Sequence, residues 1–381
     1  MTFEEGEIED VHSKKVINTV EPIIIGPFRF IKPYKFTFQC GSKGRWYDRK
    51  LIDVFAQEFK HWDRSVLEKR IKNHDIKVNG KPITVDYVIK PHDKIEHTIM
   101  RRESPIYNKP IEKIGETENF VAFLKPASMP IHATGGYNYN SMVKQLNDRY
   151  FPVHRLDRVT SGIIVMAKTK DAARKFSEYL ESHSMEKTYV ARVVGEFPEG
   201  EQRVNEPIRN TEKDRSFRET GDGGKESLTI FKRISTNHHE SIVECHPITG
   251  RTHQIRVHLK YLGHPISNDS VYGGKDIGLT KEEKDALDEA QKQGLWPPDT
   301  SLEDDDRTVV FGIYLQSIHY KSDEFDFTVP RMPEWTDLDN YHEKRNIIMM
   351  MDGSKPTTTT IENNDKKQKE NGGFMSWCNL S

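Results

Sequence analysis

Cysteine is scarce in this 381-residue sequence, and long hydrophobic runs are missing. The three cysteines, Cys40, Cys245 and Cys378, stand far apart, so their spacing supports neither a disulfide framework nor a zinc site. No run approaches the roughly 18 apolar residues that suggest a membrane-spanning helix. The acidic start, Met1 to Glu5, is unlike a signal or transit peptide, which carries basic residues. We therefore expect a protein of the cytoplasm or nucleus.

Several motifs that carry chemistry are also missing. The sequence contains no Gly-x-Ser-x-Gly elbow of a serine hydrolase and no Gly-x-x-x-x-Gly-Lys-Ser phosphate loop. It also lacks the paired-aspartate loop that an aspartate-dependent phosphotransferase would need. His253 and His258 do not have the spacing that places two imidazoles on one helix face, and no Cys or Glu joins them. We expect no metal site.

The formal net charge of −2 conceals an uneven distribution along the chain. Residues 1–12 carry five acidic residues and no Lys or Arg, and residues 280–306 carry ten acidic residues against three Lys. These two stretches together carry −12, so the rest of the chain carries +10. A basic surface is expected of a protein that contacts phosphates. The charge pattern therefore favours a nucleic acid as partner.

Strand-like and helix-like patterns alternate irregularly from residue 119 to about 330. Strand candidates rich in β-branched and aromatic residues lie at 120–124, 163–167, 189–194, 228–234 and 242–245. Apolar spacing predicts one helix over 172–180, capped by Thr169, and another over 255–262, ended by Gly263. This is an α+β pattern, a mixed sheet with flanking helices, rather than a series of βαβ units.

The sequence divides into four predicted regions. Residues 1–44 are expected to be an irregular lead-in, in which Pro22, Pro27 and Pro33 separate short apolar runs. The other regions are a compact two-helix unit at 45–100, a main domain at 110–340 with an acidic, partly helical insertion at 280–306, and a disordered tail at 345–381.

The most informative motif is the run His154-Arg155-Leu156-Asp157-Arg158-Val159-Thr160-Ser161-Gly162. It sets one carboxylate between two guanidinium groups and ends in a glycine that we expect to form a tight turn. Taken alone, it could also be a solvated charge cluster. Together with segments 123–132, 187–195, 224–229 and 249–273, in that order, it resembles the signature of the RluA-type pseudouridine synthases.

The resemblance implies an enzyme that isomerises uridine to pseudouridine in RNA, without a cofactor because the reaction is redox-neutral. It implies that Asp157 is the catalytic carboxylate and that Arg251 is its partner. Tyr189 would stack on the uracil, and its hydroxyl could help to remove the proton from carbon 5, although spacing alone fits a core aromatic equally well. Arg155 would enter the space that the extruded nucleotide leaves in the RNA.

The unit at 45–100 resembles the alpha-L RNA-binding module that often precedes the catalytic domain of this family. The resemblance rests on its two helices and on the Asn79-Gly80 turn, whereas His92-Asp93 replaces the usual Gly-Asp. Arg45 and Lys50 are candidates for RNA contact, and a solvated helix face is the alternative. The implied fold class is α+β, with a mostly antiparallel catalytic domain after this small module.

Residues 28–59 resemble a eukaryotic branch that includes the fungal tRNA pseudouridine(32) synthases. This resemblance implies a tRNA anticodon loop as substrate, with rRNA or mRNA as alternatives; we expect no DNA partner and a monomer. The rival function is that of a noncatalytic RNA-binding or RNA-chaperone protein on the same fold. The ending Cys378-Asn379-Leu380-Ser381 fits a farnesylation signal, or a chance sequence, and only prenylation would imply a membrane partner.

Overall fold

The computed structural model consists mainly of antiparallel strands with helices packed against them. It describes residues 7–9, 16–18, 20–58, 63–182, 184–211, 217–275, 277–296 and 310–341. The predictions of a disordered tail at 345–381 and of a lipid on Cys378 lie outside these ranges.

The strands differ widely in length, and the longest ones form the centre of the fold. In chain order, the described residues form β1 (Glu7–Glu9), β2 (Val16–Asn18), β3 (Pro22–Ile25), β4 (Phe28–Ile31), β5 (Tyr34–Gly41), β6 (Ile76–Val78), β7 (Lys81–Pro82), β8 (Lys94–Arg101), β9 (Ile106–Tyr107), β10 (Glu112–Glu116), β11 (Phe120–Lys125), β12 (Phe151–Pro152), β13 (Ser161–Ala167), β14 (Glu186–Val194), β15 (Glu201–Val204), β16 (Ile208–Asn210), β17 (Arg218–Thr220), β18 (Thr229–Thr236), β19 (Glu240–Pro247), β20 (Leu315–Lys321) and β21 (Asp326–Thr328).

The helices are short and lie between groups of strands. They are α1 (Leu51–Glu58), α2 (Arg64–Lys72), α3 (Met142–Gln145), α4 (Lys170–Glu181), α5 (Gln254–Tyr261) and α6 (Lys281–Lys292), with 3-10 turns at Gly44–Trp46 and Glu334–Thr336. Within the described ranges, none of them has both the length and the apolar character needed to cross a membrane.

One ten-stranded sheet forms the centre of the main region. Its strands follow the order β10-β11-β13-β20-β14-β19-β18-β15, while β12 pairs with β13 and β21 pairs with β20. The neighbours β13 and β20 run parallel, and the other pairs described in this sheet are antiparallel. The predicted α+β class, with a mostly antiparallel sheet and flanking helices, is confirmed.

Side chains from the two faces of this sheet enter separate apolar cores. Along β11, Val121 and Phe123 enter the first core, whereas Phe120 and Ala122 enter the second, because side chains alternate between the faces of a strand. All four are buried. Helix α4 covers the second face through its contact with β13, and α5 lies against β18 and β19.

The two helices predicted beside the sheet have the ends that the sequence indicates. Thr169 precedes α4, and its Oγ1 accepts a hydrogen bond from the Ala172 N–H at 3.1 Å, which confirms the predicted cap. After α5, Gly263 adopts φ +80, and its N–H donates to the Lys260 carbonyl. The termination predicted at Gly263 is therefore also confirmed.

Residues between Tyr34 and Arg101 contain a second sheet packed against α1 and α2. Strands β5 and β8 pair over eight residues, and β6 and β7 extend this sheet. The apolar sides of both predicted helices share a buried core with these strands. Asn79 and Gly80, at φ 53 and 75, form the predicted turn between β6 and β7. That 45–100 is an alpha-L module and a separate domain stays a prediction.

The described part of the predicted lead-in, 1–44, is not irregular. It contains β3, β4 and β5 because its prolines stand where strands tolerate them. Pro22 begins β3, Pro27 lies in the turn before β4, and Pro33 precedes β5. The expectation of irregular structure is therefore wrong for these residues.

The helix predicted in the acidic insertion, 280–306, is α6. Thr280 and Glu283 form a capping box at its start. Its apolar side shares a buried core with Phe28 and Phe30 of β4, although the two segments are distant in sequence. The helical part of the insertion is therefore built into the fold and is not an appended surface element.

Candidate active site

Asp157 lies in the loop between β12 and β13, at the wall of a cavity of about 590 Å³. On either side of it, Leu156 and Val159 are buried in the first core of the sheet and anchor the loop. Other lining residues come from distant segments and include His132, Lys187, Tyr189, Arg251, His253 and Tyr320. The structure thus brings the predicted catalytic residues Asp157, Tyr189 and Arg251 to one cavity.

Arg256 of α5 is the arginine that contacts Asp157. Its Nη1 lies 3.3 Å from Asp157 Oδ2. Asp269 holds the rest of the guanidinium, since Nε donates to Oδ2 at 2.7 Å and Nη2 donates to Oδ1 at 3.0 Å. The Arg256 and Asp269 side chains are only 6% and 1% exposed. This buried, bidentate ion pair between Arg256 and Asp269 fixes the direction in which Arg256 faces Asp157.

The surroundings of Asp157 keep its carboxylate ionised. Burial alone would raise its pKa, but His253, which is charged at the acid pH where Asp157 titrates, and Arg256 together outweigh burial, and the pKa of Asp157 falls below its usual value. Burial also lowers the pKa of His253, so this imidazole is neutral near pH 7 and Arg256 is the cation that acts there. Both neighbours approach Oδ2, and among the described residues Oδ1 has no hydrogen-bond partner. Oδ1 is the oxygen left for a substrate.

Tyr189 of β14 shares a hydrogen bond with Tyr320 of β20, their hydroxyl oxygens 2.8 Å apart. The Val165 N–H donates to His154 Nε2 at 2.9 Å, so Nδ1 carries the proton and faces the Tyr320 oxygen at 3.4 Å. Burial lowers the pKa of His154 to about 3 and raises the pKa of Tyr189 to about 12. Tyr189 is therefore protonated near neutral pH, which suits stacking and hydrogen-bond donation better than proton removal.

The expected pairing of Arg251 with Asp157 is wrong, because Arg256 takes that place. Arg251 is exposed, and its Nε donates to the Glu226 carbonyl at 2.9 Å. It precedes α5, whereas Arg256 lies within the helix and points from it toward the loop of Asp157. Arg251 still lines the cavity, and its catalytic role stays a prediction.

The residues predicted to bind RNA lie in two settings. Arg155 is exposed at the cavity. Arg45 Nη2 lies 2.8 Å from Glu58 Oε2 in the region of α1. Lys50 Nζ lies 2.6 Å from Asp86 Oδ1. The exposed Lys50–Asp86 pair contributes little to stability, so a phosphate could displace Asp86, whereas Arg45 holds Glu58 through two hydrogen bonds. The RNA-binding role of all three residues stays a prediction.

Lys125 is a fully buried lysine at the end of β11. The spacing of residues in the sequence does not indicate its role. Its Nζ donates to three backbone carbonyls, those of Pro126 at 2.9 Å, Met129 at 2.8 Å and Arg158 at 3.2 Å. Burial lowers the pKa of Lys125 to about 7. The lysine ties the end of β11 to the residue after Asp157, so it supports the loop that carries this carboxylate.

Lys187 is a half-buried cation at the wall of the cavity. It lies two positions before Tyr189 on β14 and therefore on the same face of the strand. Its Nζ lies 3.4 Å from the Ile248 carbonyl, and no carboxylate of the described residues pairs with it. Burial lowers the pKa of Lys187 to about 8. A cation without a counter-ion at a cavity suits an anionic ligand.

Gly162, the last residue of the signature run, lies within β13 rather than in a turn. Its φ is +117, and a Cβ there would lie 2.2 Å from the Ser317 oxygen and 2.4 Å from the Ser317 nitrogen. This is the point at which β13 pairs with β20 in parallel. The expected tight turn is therefore wrong, and the glycine instead permits two backbones to approach closely.

Four residues at the site went unassigned from sequence: Arg256, Asp269, His253 and Tyr320. Arg256 lies beside the apolar stripe of the predicted helix at 255–262. This position is the sequence signal that could indicate an arginine facing the site. From its spacing, His253 is a candidate for metal binding only. Among the described residues, no group of three or more His, Cys, Asp or Glu could hold a metal ion.

Comparison with known proteins adds a family match. Residues 119–261 match the family described as RNA pseudouridylate synthase. Over 265 residues the chain is 42% identical to the "tRNA pseudouridine(32) synthase, mitochondrial" of Saccharomyces cerevisiae. The aligned residues make up 68% of this chain and 57% of the yeast protein. The match thus spans little more than half of the yeast protein.

A plant relative is covered more fully. Over 279 residues the chain is 38% identical to RNA pseudouridine synthase 7 of Arabidopsis thaliana. The aligned residues make up 70% of this chain and 71% of the plant protein. Among solved structures, human RNA pseudouridylate synthase domain containing 1 is 23% identical, with a TM-score of 0.44, over 60% of this chain and 87% of that chain.

Proposed function

The chain belongs to the RluA-type RNA pseudouridylate synthase family, and we propose that it isomerises uridine to pseudouridine in RNA. The observation that carries this proposal is the Asp157 carboxylate, held ionised beside Arg256 at a cavity that Tyr189 also lines. The cavity volume of about 590 Å³ lies within the range of about 300–1,000 Å³ usual for small-ligand sites. A protein that only binds RNA gains nothing from burying such a carboxylate.

The reaction breaks one bond to the ribose and forms another. The bond from uracil nitrogen 1 to ribose carbon 1 breaks, the base turns, and uracil carbon 5 bonds to the same ribose carbon. Carbon 5 loses its proton and nitrogen 1 gains one, so the change is redox-neutral. Asp157 Oδ1 would act as nucleophile or would stabilise positive charge as the first bond opens. Arg256 would keep the carboxylate ionised in either role.

Three further residues receive roles in this proposal. Tyr189 would stack on the uracil, with its protonated hydroxyl available as a donor. Arg155, exposed at the cavity, would fill the space left in the RNA when the nucleotide leaves its stack. Arg251, also exposed there, would contact RNA at the cavity mouth and not Asp157. Base extrusion costs least in unpaired RNA, so the target would be a loop.

A tRNA anticodon loop, with uridine 32 as the modified position, is the proposed substrate. The name of the yeast relative, a tRNA pseudouridine(32) synthase, supports this choice, and the basic remainder of the chain suits a polyanion. We further propose that residues 45–100 contact the RNA outside the cavity. For location we favour cytoplasm or nucleus, although the yeast relative is named mitochondrial.

Release of tritium from RNA labelled at uracil carbon 5 tests the reaction directly. The full chain should release tritium from total cellular RNA, and Asp157→Asn should release none while still binding RNA. Asp171→Asn is a matched control, because Asp171 is 88% exposed on α4 and outside the cavity. It should behave as the wild type.

Two results would count against the proposal. If the wild type releases no tritium but binds RNA, the noncatalytic alternative is favoured. If Asp157→Asn is as active as the wild type, the assignment of the carboxylate is wrong. Mapping pseudouridine in cells without the protein then decides between tRNA, rRNA and mRNA as substrates.

A further inference from the structure

A line of polar contacts leads from the backbone of β17 to the Asp157 carboxylate. The Arg218 N–H donates to Tyr272 Oη at 3.2 Å. Tyr272 Oη lies 2.7 Å from His253 Nδ1. On the other side of that imidazole, Nε2 lies 3.7 Å from Asp157 Oδ2. Tyr272 is buried, and the His253 side chain is 20% exposed at the cavity wall.

The Arg218 N–H indicates where the protons lie along this line of contacts. A backbone N–H only donates, so the Tyr272 oxygen accepts from Arg218. Within the described part of the chain, His253 Nδ1 is the other hydrogen-bond partner of that hydroxyl, so the Tyr272 proton points to Nδ1. A neutral imidazole that accepts at Nδ1 carries its proton on Nε2. The Nε2–H therefore faces Asp157, whereas the opposite tautomer would set a lone pair against a carboxylate.

The backbone of His253 supports a role for its side chain. His253 stands immediately before α5 with φ 59 and ψ 17, in the left-handed region that residues other than glycine seldom adopt. Glycine at this position would adopt the same conformation without strain. Strained residues are maintained where their side chains are needed, and here the strain aims an imidazole at the carboxylate.

We propose that His253 is a positioning residue, whose Nε2–H, oriented by Tyr272, holds the unreactive oxygen of Asp157 and leaves Oδ1 for the substrate. This inference rests on the proposed function. Arg256 Nη1 reaches the same Oδ2 from α5, so the two donors together set the rotation of the carboxylate. The 3.7 Å contact is longer than a hydrogen bond and would shorten in the complex with substrate, as catalytic hydrogen bonds often do.

The first test compares His253→Gly with the wild type in the tritium-release assay. Glycine relieves the backbone strain but removes the partner of the buried Tyr272 hydroxyl, so urea unfolding of the variant is measured beside its activity. We expect kcat to fall on the order of tenfold to a hundredfold with KM unchanged, as for loss of a hydrogen bond to a charged group. His238→Gly is a matched control, because His238 has φ 68 and a side chain 78% exposed in the turn between β18 and β19, outside the cavity and outside residues 45–100. An unchanged kcat in His253→Gly overturns the proposal.

Chemical rescue separates hydrogen-bond donation from packing. Free imidazole has an N–H donor, and 1-methylimidazole has nearly the same shape without one. Rescue of His253→Gly by imidazole and not by 1-methylimidazole supports the proposal, and equal rescue by both overturns it. The acid limb of the rate profile should also move to higher pH in this variant, because loss of a donor raises the pKa of Asp157. The charged groups around His253 are Asp157, Asp269, Arg256 and Arg218.

The tautomer can be read without any activity. In the full chain labelled with nitrogen-15 histidine, the signal that His253→Asn removes should belong to an imidazole with its proton on Nε2. In Tyr272→Phe, that signal should shift toward a mixture of tautomers. A wild-type imidazole protonated on Nδ1 overturns the inference while tritium release still stands, and absent tritium release with the Nε2 tautomer overturns only the proposed function.

Discussion

Asp269 binds two nitrogens of Arg256, and the third nitrogen, Nη1, is the one that lies 3.3 Å from Asp157. The carboxylate of Asp269 therefore acts on the site through Arg256, although Asp269 does not line the cavity. It neutralises most of the cost of burying the guanidinium and fixes its plane. What reaches Asp157 is a single, directed N–H.

Asp269→Asn tests this arrangement. An amide keeps the size of the side chain but has one acceptor oxygen, so one of the two bonds to Arg256 is lost. We expect kcat in tritium release to fall about tenfold to a hundredfold and the unfolding free energy to fall by about 3–5 kcal/mol, as for a broken buried pair. Urea unfolding gives the second number. Wild-type kcat in a destabilised variant would show that Asp269 serves the fold alone.

Arg256→Lys should change the pH dependence of the reaction. Arg256 lowers the pKa of Asp157, so the carboxylate is ionised above that lowered value and activity is lost as pH falls through it. Lysine cannot form both bonds to Asp269 and face Asp157 as well. The pKa of Asp157 should therefore rise, and the acid limb of kcat should move to higher pH. If the acid limb of the kcat profile does not move in Arg256→Lys, the group that ionises there is not Asp157.

Lys187 should make RNA affinity fall as pH rises. Burial lowers its pKa to about 8, so its positive charge is present at pH 7 and is lost between about pH 7 and 9. If Lys187 contacts a phosphate, KM should rise severalfold over this range. Lys187→Arg should keep KM flat, since arginine stays charged. If KM rises with pH in Lys187→Arg as much as in the wild type, the titrating group is not Lys187.

Substitutions of Tyr189 should separate its ring from its hydroxyl. Because the hydroxyl has a pKa of about 12, it is protonated at pH 7 and is a poor base. Tyr189→Phe keeps the ring and should lose activity about tenfold or less. Tyr189→Leu removes the stacking face, which is worth about 1–3 kcal/mol per base, so kcat/KM should fall about tenfold to a hundredfold below the phenylalanine variant. Equal losses in both variants would restore proton removal as the role of the hydroxyl.

Gly162→Ala should destabilise the whole fold. A Cβ at Gly162 would lie within 2.4 Å of two Ser317 backbone atoms, and backbone cannot move aside as a flexible side chain can. The unfolding free energy should fall by about 3 kcal/mol or more. Gly250→Ala is the control, since a Cβ there meets nothing within 4 Å. Equal stability of the two variants in urea would contradict the close approach.

Local features of this fold could be predicted from sequence because a few neighbouring residues determine them. Thr169 caps α4 through a bond to the residue three positions on, and Asn79-Gly80 turns the chain between the paired residues Val78 and Lys81. The partner of Asp157 could not be found that way. Choosing between Arg251 and Arg256 depends on where α5 begins, and that depends on the left-handed His253, a conformation that neighbouring residue types do not specify.

The same distinction explains the lead-in and the insertion. Pro22, Pro27 and Pro33 suggest broken structure to a local analysis, yet each lies at a strand end or in a turn. Strands β3 and β4 are stabilised by α6, whose apolar residues share a core with them. A local pattern shows that each segment has an apolar side but does not show which distant segment covers it.

Strand β20 sets the order in which the cavity of Asp157 forms during synthesis. It lies between β13 and β14 in the sheet, but the ribosome makes it after both. Until it emerges, Gly162 is paired with β11 alone, and Tyr189 lacks the hydroxyl of Tyr320. A nascent chain that ends before β20 can form local hairpins but not the complete cavity, which therefore forms only when nearly the whole described fold has been made.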